Sequence, residues 1–303
     1  MWRPFHLKVK SVKVLIIGCG YVGLALGRLL AERGYVVHGM RRGPSPEFER
    51  ERGQIEPVYA DISQPETLKP LAADYDWVAN LVSSSKGGLE EYRRAYLEGT
   101  ENVLRWLSGR PPRKYVYTSS TSVYAQSDGS AVTESSPADG GTATGQVLRA
   151  TEELLVQAWR ADDFPAVILR VAGIYGPGRG HLFHQFLKGE ARLAGEGDRC
   201  LNMIHRDDLA GIIAAALERG VPGQILNAVD DEPVREKDFF SWLAKETGRE
   251  MPPSVEASSL NRKRGLTSKR VVNHALKKSL GYNFAYPTFR EGYREELRRI
   301  TER

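Results

Sequence analysis

Six consecutive residues carry the clearest chemistry in the chain: Gly18-Cys19-Gly20-Tyr21-Val22-Gly23, a G-x-G-x-x-G. Between a strand and a helix, three glycines so spaced do separate jobs. Gly18 permits a tight turn, Gly20 lets a pyrophosphate approach the backbone, and Gly23 lets the helix lie close to the strand. The unpaired N–H groups at the helix start then face an anion. The other use of such a turn is shape alone. Further on, where Asp or Glu would hold a ribose 2′-OH, the chain carries Arg41-Arg42. A guanidinium pair suits a 2′-phosphate through charge-assisted bonds, so the charges favour NADP over NAD. The alternative is a solvated basic loop.

Other clusters point less far. Ser119, Ser120, Thr121 and Ser122 supply hydroxyls, but no G-x-S-x-G elbow makes one a hydrolase nucleophile. His181 and His184 are spaced i, i+3 with no Cys, Asp or Glu at ligand spacing, so no metal is expected. Asp207 and Asp208 read as caps of the helix that follows. His205 just before them is either a cleft residue or a hydrogen-bonded structural one. Cys19 and Cys200 are expected to be free thiols, with Cys19 a small filler in the turn.

The elements that must position these groups follow from periodicity. Val12 to Ile17 is a short apolar run and reads as a buried strand. The helix after it shows Val22, Leu26, Leu29 and Leu30 on one face. Further strands are expected over 35–40, 56–60, 76–82, 114–120, 165–171, 199–204 and 224–228. Helices are expected over 90–107, 145–160, 181–194, from Asp207 to Leu217, and over 235–247, 269–280 and 288–303. Residues 1–11 read as a loose arm, and 83–88 and 261–265 as loops. Strands alternating with helices imply a parallel sheet covered on both faces.

The 303 residues are 41% hydrophobic and 27% charged, which suits a globular protein with a real core. The net charge of +5 could favour an anionic ligand but is no nucleic-acid signature. No apolar run reaches transmembrane length, the first ten residues lack a signal-peptide core, and cysteine is scarce. A cytoplasmic protein that binds neither nucleic acid nor membrane is expected.

With these residues in view, the chain resembles an atypical extended short-chain dehydrogenase/reductase, of the NAD-dependent epimerase/dehydratase family. The resemblance rests on GCGYVG (18–23), Asp61-Ile62, NLV (80–82), YLEGTENVL (96–104), YTSSTSVY (117–124), LRVAGIYGPGR (169–179) and NMIHRDDLA (202–210). The G-x-G-x-x-G spacing and SKRVVNHALKKSLGY (268–282) look like the atypical branch. The resemblance implies an α/β fold: a Rossmann doubly wound parallel sheet with a smaller C-terminal substrate domain. The NAD(P)-binding domain would span 12–173 and 206–232, and the substrate domain 174–205 and 233–303. It implies that Asp61 and Ile62 meet the adenine, that Leu81, Val82 and Ser83 lie along the cofactor, and that Ser120 is the catalytic hydroxyl. Tyr124 and His205 would face the substrate. The family's helix pair implies a homodimer, although Arg93, Arg94, Glu98 and Glu101 charge those faces enough for a monomer.

One part of the family pattern is missing. Its helix carries Tyr-x-x-x-Lys, in which lysine lowers the tyrosine pKa for proton transfer. Alignment on Gly145 and Glu152 puts Thr144 at the tyrosine and Leu148 at the lysine, with Arg149 a quarter-turn away. Gly173 replaces an asparagine typical of sugar-nucleotide epimerases. The expected function is therefore an oxidoreductase acting on a small carbonyl, alcohol or sugar-derived substrate with a non-standard site. The rival is a non-catalytic NADP(H) sensor or scaffold.

Overall fold

In the computed structural model, residues 11–84, 88–256 and 267–302 are described. Seven strands form one parallel sheet: β1 (Lys13–Ile17), β2 (Val36–Arg41), β3 (Ile55–Tyr59), β4 (Trp77–Asn80), β5 (Lys114–Ser120), β6 (Ala166–Val171) and β7 (Ile225–Ala228). Their spatial order is β7-β6-β5-β4-β1-β2-β3. The chain starts in the middle, runs out to β3, then returns to β4 beside β1. That reversal opens a crevice at the carboxyl ends of β1 and β4, where ligands bind in open sheets of this kind.

The strand sequences explain the burial. β1 sends Val14 and Ile16 into one apolar cluster and Leu15 and Ile17 into another, so both sheet faces are covered. All six residues of β6 are buried, including Arg170. The first helix, Tyr21–Glu32, buries Gly23, Leu24, Leu26, Gly27 and Leu30. Leu26 and Leu30 match the apolar face expected from spacing, while Val22 and Leu29 stay half-buried. The inward stripe is rotated because two glycines form its closest contact. A Cβ on Gly27 would stand 2.4 Å from the Ile55 side chain, and one on Gly23 would stand 3.2 Å from that of Ile16.

The helical stretch 89–107 contains a π-turn at Arg94–Glu98, between Leu89–Arg93 and Gly99–Leu107. The wide turn changes the phase of the side chains, so an uninterrupted 3.6 period does not describe the whole segment. The Ala143–Asp162 helix starts at Thr142, whose Oγ1 accepts from the Gly145 N–H at 3.1 Å.

Outside the sheet, Tyr175, Phe183, Phe186, Phe239, Phe240, Phe289 and Tyr293 build a third cluster. It ties together helices His181–Leu187, Glu236–Thr247 and Phe289–Thr301. Three expectations need correction here. The helix expected over 181–194 stops at Leu187, and Leu193–Ala194 instead pairs with Ser254–Val255. The helix expected from Lys269 begins at His274, because Arg270–Val271 pairs with Ala131–Val132. The strand expected over 199–204 is two: Cys200–Leu201 pairs with Val234–Arg235, and Met203–His205 with Gly173–Tyr175. The expected arm before Ser11, residues 85–87 of the 83–88 loop and the 261–265 loop lie outside the described residues. Among the described residues no helix is long and apolar enough to cross a membrane.

Candidate cofactor and active site

The 18–23 turn leaves β1 and lies against the end of β4. Gly18 has φ +81°, and a Cβ there would meet the Leu81 carbonyl and the Val82 nitrogen at 2.9 Å. The Gly18 and Cys19 N–H groups both donate to the Met40 carbonyl at 3.0 Å, which locks the turn to β2. Gly20 differs: a Cβ there would find nothing nearer than the Gly18 oxygen at 4.0 Å. It begins the Tyr21–Glu32 helix with no side-chain cap. Uncapped N–H groups beside open space suit a diphosphate, so the turn fits a dinucleotide. Cys19 is 1% exposed, and burial pushes its thiol up to about 12. It packs as a filler beside Gly39 and is too protonated for redox chemistry. The Val22 side chain is half-buried against the first apolar cluster.

The basic pair after β2 is split by its surroundings. Arg41 is half-buried, its guanidinium donating to Ser45 Oγ and lying 5.5 Å from the Phe48 ring centroid. Its Nε is buried without a hydrogen-bond partner among the described residues. Arg42 is exposed. Asp61 Oδ1 accepts from the Ser63 N–H and hydroxyl at 2.9 and 2.8 Å, closing a small turn after β3. Ile62 is 4% exposed, and its side chain lies where Gly99 makes room for it. That packing leaves the Ile62 side chain little surface for an adenine. Leu81 is buried, Val82 half-buried and Ser83 exposed, so the segment rises from the core to the crevice.

Ser120 ends β5 and is half-buried. Its Oγ accepts from the Ser122 N–H at 3.2 Å, which leaves the hydroxyl proton free to donate. Its neighbour Ser119 points the other way and donates to Glu152 Oε1 at 2.6 Å. Glu152 also receives Arg170 through Nε and Nη2, the latter at 2.7 Å. Arg170 in turn donates to the Tyr124 hydroxyl at 2.9 Å, and that hydroxyl donates to Asn227 Oδ1 at 2.8 Å. Tyr124 is therefore no substrate contact, contrary to expectation. Its side chain is fully buried and its hydroxyl is spoken for, so it is a post between β6 and β7. Sequence reading missed this buried chain of groups. The available signal was an arginine inside the apolar run Ala166–Val171.

Thr144 lies exposed in the first turn of its helix, its hydroxyl 3.3 Å from that of Thr142. Leu148, one turn on, is 1% exposed within the core. The helix packs against Thr121–Val123, directly after Ser120. Neither position holds an acid or a cation. His205 is 2% exposed and caps the Arg206–Arg219 helix, its Nδ1 accepting from the Asp207 N–H at 3.2 Å. Burial lowers its pKa to about 4, so the ring is neutral with its proton on Nε2. The capping role expected of the aspartates thus belongs to His205. Asp208 is fully buried and accepts from the Ala285 and Tyr286 N–H groups and the Tyr282 hydroxyl. His181 and His184 sit on the short helix His181–Leu187.

Comparison with known proteins agrees with this fold. Residues 14–228 match the profile of the NAD dependent epimerase/dehydratase family. Protein YeeZ of Escherichia coli is 28% identical over 91% of this chain and 96% of its own length. The 3-diazoavenalumate denitrifying reductase of a Streptomyces species is 24% identical over 94% of this chain and 100% of its own. The solved structure of an NAD-dependent epimerase/dehydratase candidate from Methylobacillus flagellatus superposes with a TM-score of 0.76. It is 30% identical and covers 96% of this chain and 99% of its own. The family profile spans most of the chain, including the whole seven-stranded sheet apart from Lys13 and the glycine turn seated on its reversal, and the protein belongs to the NAD-dependent epimerase/dehydratase family.

Proposed function

We propose that this protein is an oxidoreductase that binds NADP(H) in preference to NAD(H) and acts on a small carbonyl or alcohol without the tyrosine–lysine relay. The observation that carries the reading is the end of β2. There Arg41 keeps a buried Nε without a partner among the described residues, with exposed Arg42 beside it. A 2′-phosphate would supply the missing acceptor. The Gly18–Gly23 turn would hold the diphosphate through its backbone N–H groups, and Leu81 to Ser83 would run beside the rest of the molecule. The nicotinamide supplies or accepts hydride when bound. Ser120, with its proton free, would donate a hydrogen bond to the reacting oxygen. Thr144 is a poor acid, so in carbonyl reduction the proton would come from water or an unconventional donor, and in alcohol oxidation it would leave by the same route. Membership of a family with reductase relatives supports the reaction class.

Titration of NADP(H) and NAD(H) tests the preference. A charge-assisted contact is worth roughly 1.5–3 kcal/mol, so replacing Arg41 and Arg42 with serine should weaken NADP about tenfold or more while sparing NAD. Tighter NAD binding by the unaltered protein would refute the preference. A second reading, a non-catalytic NADP(H) sensor or scaffold, is favoured by Thr144 and Leu148 in place of an acid and a cation. Stopped-flow oxidation of NADPH against a carbonyl panel separates the two. Turnover that falls in Ser120→Ala supports the enzyme, and tight binding with no turnover supports the sensor.

A further inference from the structure

The ring of Tyr21, the first residue of the cofactor-turn helix, lies against two arginines from distant segments. The Arg179 guanidinium is 5.1 Å from the ring centroid and that of Arg206 is 5.2 Å from it. The Tyr21 hydroxyl is buried without a hydrogen-bond partner among the described residues. Arg206 shares its charge with Asp207 at 2.7 Å. Arg179 makes no ion pair among the described residues and is exposed.

The loop that delivers Arg179 is built with care. Gly176 and Arg179 exchange backbone hydrogen bonds at 3.0 and 2.8 Å, closing a four-residue turn. Gly176, Gly178 and Gly180 have φ of +137°, +68° and +154°, values that favour glycine. The Gly178 N–H donates to Glu296 Oε2 at 3.0 Å, which pins the tip to the Phe289–Thr301 helix. Two cations are thus held beside the positive end of the Tyr21–Glu32 helix. Of the two nearby carboxylates, Asp207 pairs with Arg206, and Glu296 at the loop tip pairs with Arg299 at 2.7 Å. The surplus charge is unfavourable until an anion arrives.

We propose that Arg179 and Arg206, stacked on the Tyr21 ring, form a side-chain grip on the diphosphate of the bound dinucleotide, facing the backbone N–H groups of the turn. The inference rests on the dinucleotide reading above. The diphosphate carries two negative charges, matching two guanidiniums with one already shared. The aromatic ring fixes the guanidinium planes and so reduces the entropy lost when the anion binds.

Calorimetric titration of the full chain with ADP-ribose, NADP and adenosine 2′-phosphate tests it. Arg179→Gln with Arg206→Gln should weaken ADP-ribose and NADP about tenfold or more. Adenosine 2′-phosphate, which lacks the diphosphate, should be unaffected. Tyr21→Phe should bind like the unaltered protein, since the hydroxyl has no partner to lose, whereas Tyr21→Leu should follow the arginine variant. If the double variant does not fold, Arg179→Gln alone carries the test, because that side chain is exposed. Unchanged ADP-ribose affinity in the arginine variants, with binding abolished in Gly20→Val, would overturn the grip and leave the cofactor reading standing. Failure of the unaltered protein to bind any of the three ligands would overturn both.

Discussion

Gly18 and Gly20 are two positions apart, yet substitution should separate fold from binding. Gly18→Ala places a Cβ 2.9 Å from the Leu81–Val82 backbone at a φ of +81°, so it should lower the melting temperature by several degrees. Gly20→Val sets its Cβ where the nearest protein atom is the Gly18 oxygen at 4.0 Å. It should leave the melting temperature nearly unchanged while abolishing NADP binding in a titration. His205 offers a second test. Its folded pKa of about 4 lies below the ordinary histidine value, so the unfolded chain binds the proton more readily. Its contribution is complete above about pH 6.5 and is lost as pH falls toward 4, at ~1.4 kcal/mol per unit of displacement. His205→Asn keeps a capping acceptor and removes the titration, so urea unfolding between pH 4 and 7 should show a flatter stability profile. Buried Asp208 and Asp230, whose carboxyl pKa values are raised by burial, act in the opposite sense and cancel in the difference. The roles of Gly18 and Gly23 were legible in sequence because each is a local consequence of a missing Cβ. The fate of Tyr124 was not, because its partner Asn227 lies 103 residues away and the Lys269 ammonium on its carbonyl 145 away.

At the scale of elements, the helix Ala143–Asp162 decides what can be rebuilt. Thr144 and Leu148 share a face by spacing, but the first turn is open and the second is covered. Thr144→Tyr should therefore change stability by less than about 0.5 kcal/mol. Leu148→Lys buries an ammonium in the core and should destabilise by about 2–5 kcal/mol in chemical denaturation, unless the lysine reaches the crevice. A Leu148→Lys variant as stable as the parent would show that the core opens here. Spacing showed that both positions exist on one face and could not show that Leu148 is covered, since it joins an apolar cluster built from other segments, Val123 and Ala172 among them. The same limit explains the π-turn at Arg94–Glu98. Hydrophobic period gave the helix its extent, but no residue in RAYLE announces a wide turn.

Across the whole molecule, the C-terminal segment is fastened to the sheet region by a few buried polar groups. Asp208 is the chief one, holding Tyr282, Ala285 and Tyr286 at 2.8–2.9 Å. Asp208→Ala leaves two backbone donors without their acceptor and should cost about 2–3 kcal/mol or more. Hydrogen exchange should rise at 282–286 before it rises in β1 or β5, and equal exchange in both would contradict this fastening. The sheet was legible from alternation, and even β7 was expected within one residue of Ile225–Ala228. The two-residue pairings of the C-terminal half were not, since strands so short carry no period. The chain of groups from Ser119 to Asn227 also has a timetable. A ribosome adds about 5–20 residues per second. Glu152 and Arg170 can meet once β6 has been made, but Asn227 follows 57 positions after Arg170 (227 − 170), roughly 3–11 s later at that rate. For that interval the Tyr124 hydroxyl lacks its acceptor and β6 is a bare edge. The nascent chain is then most exposed to chaperones and to mispairing, and slow codons between 171 and 228 would lengthen the risk.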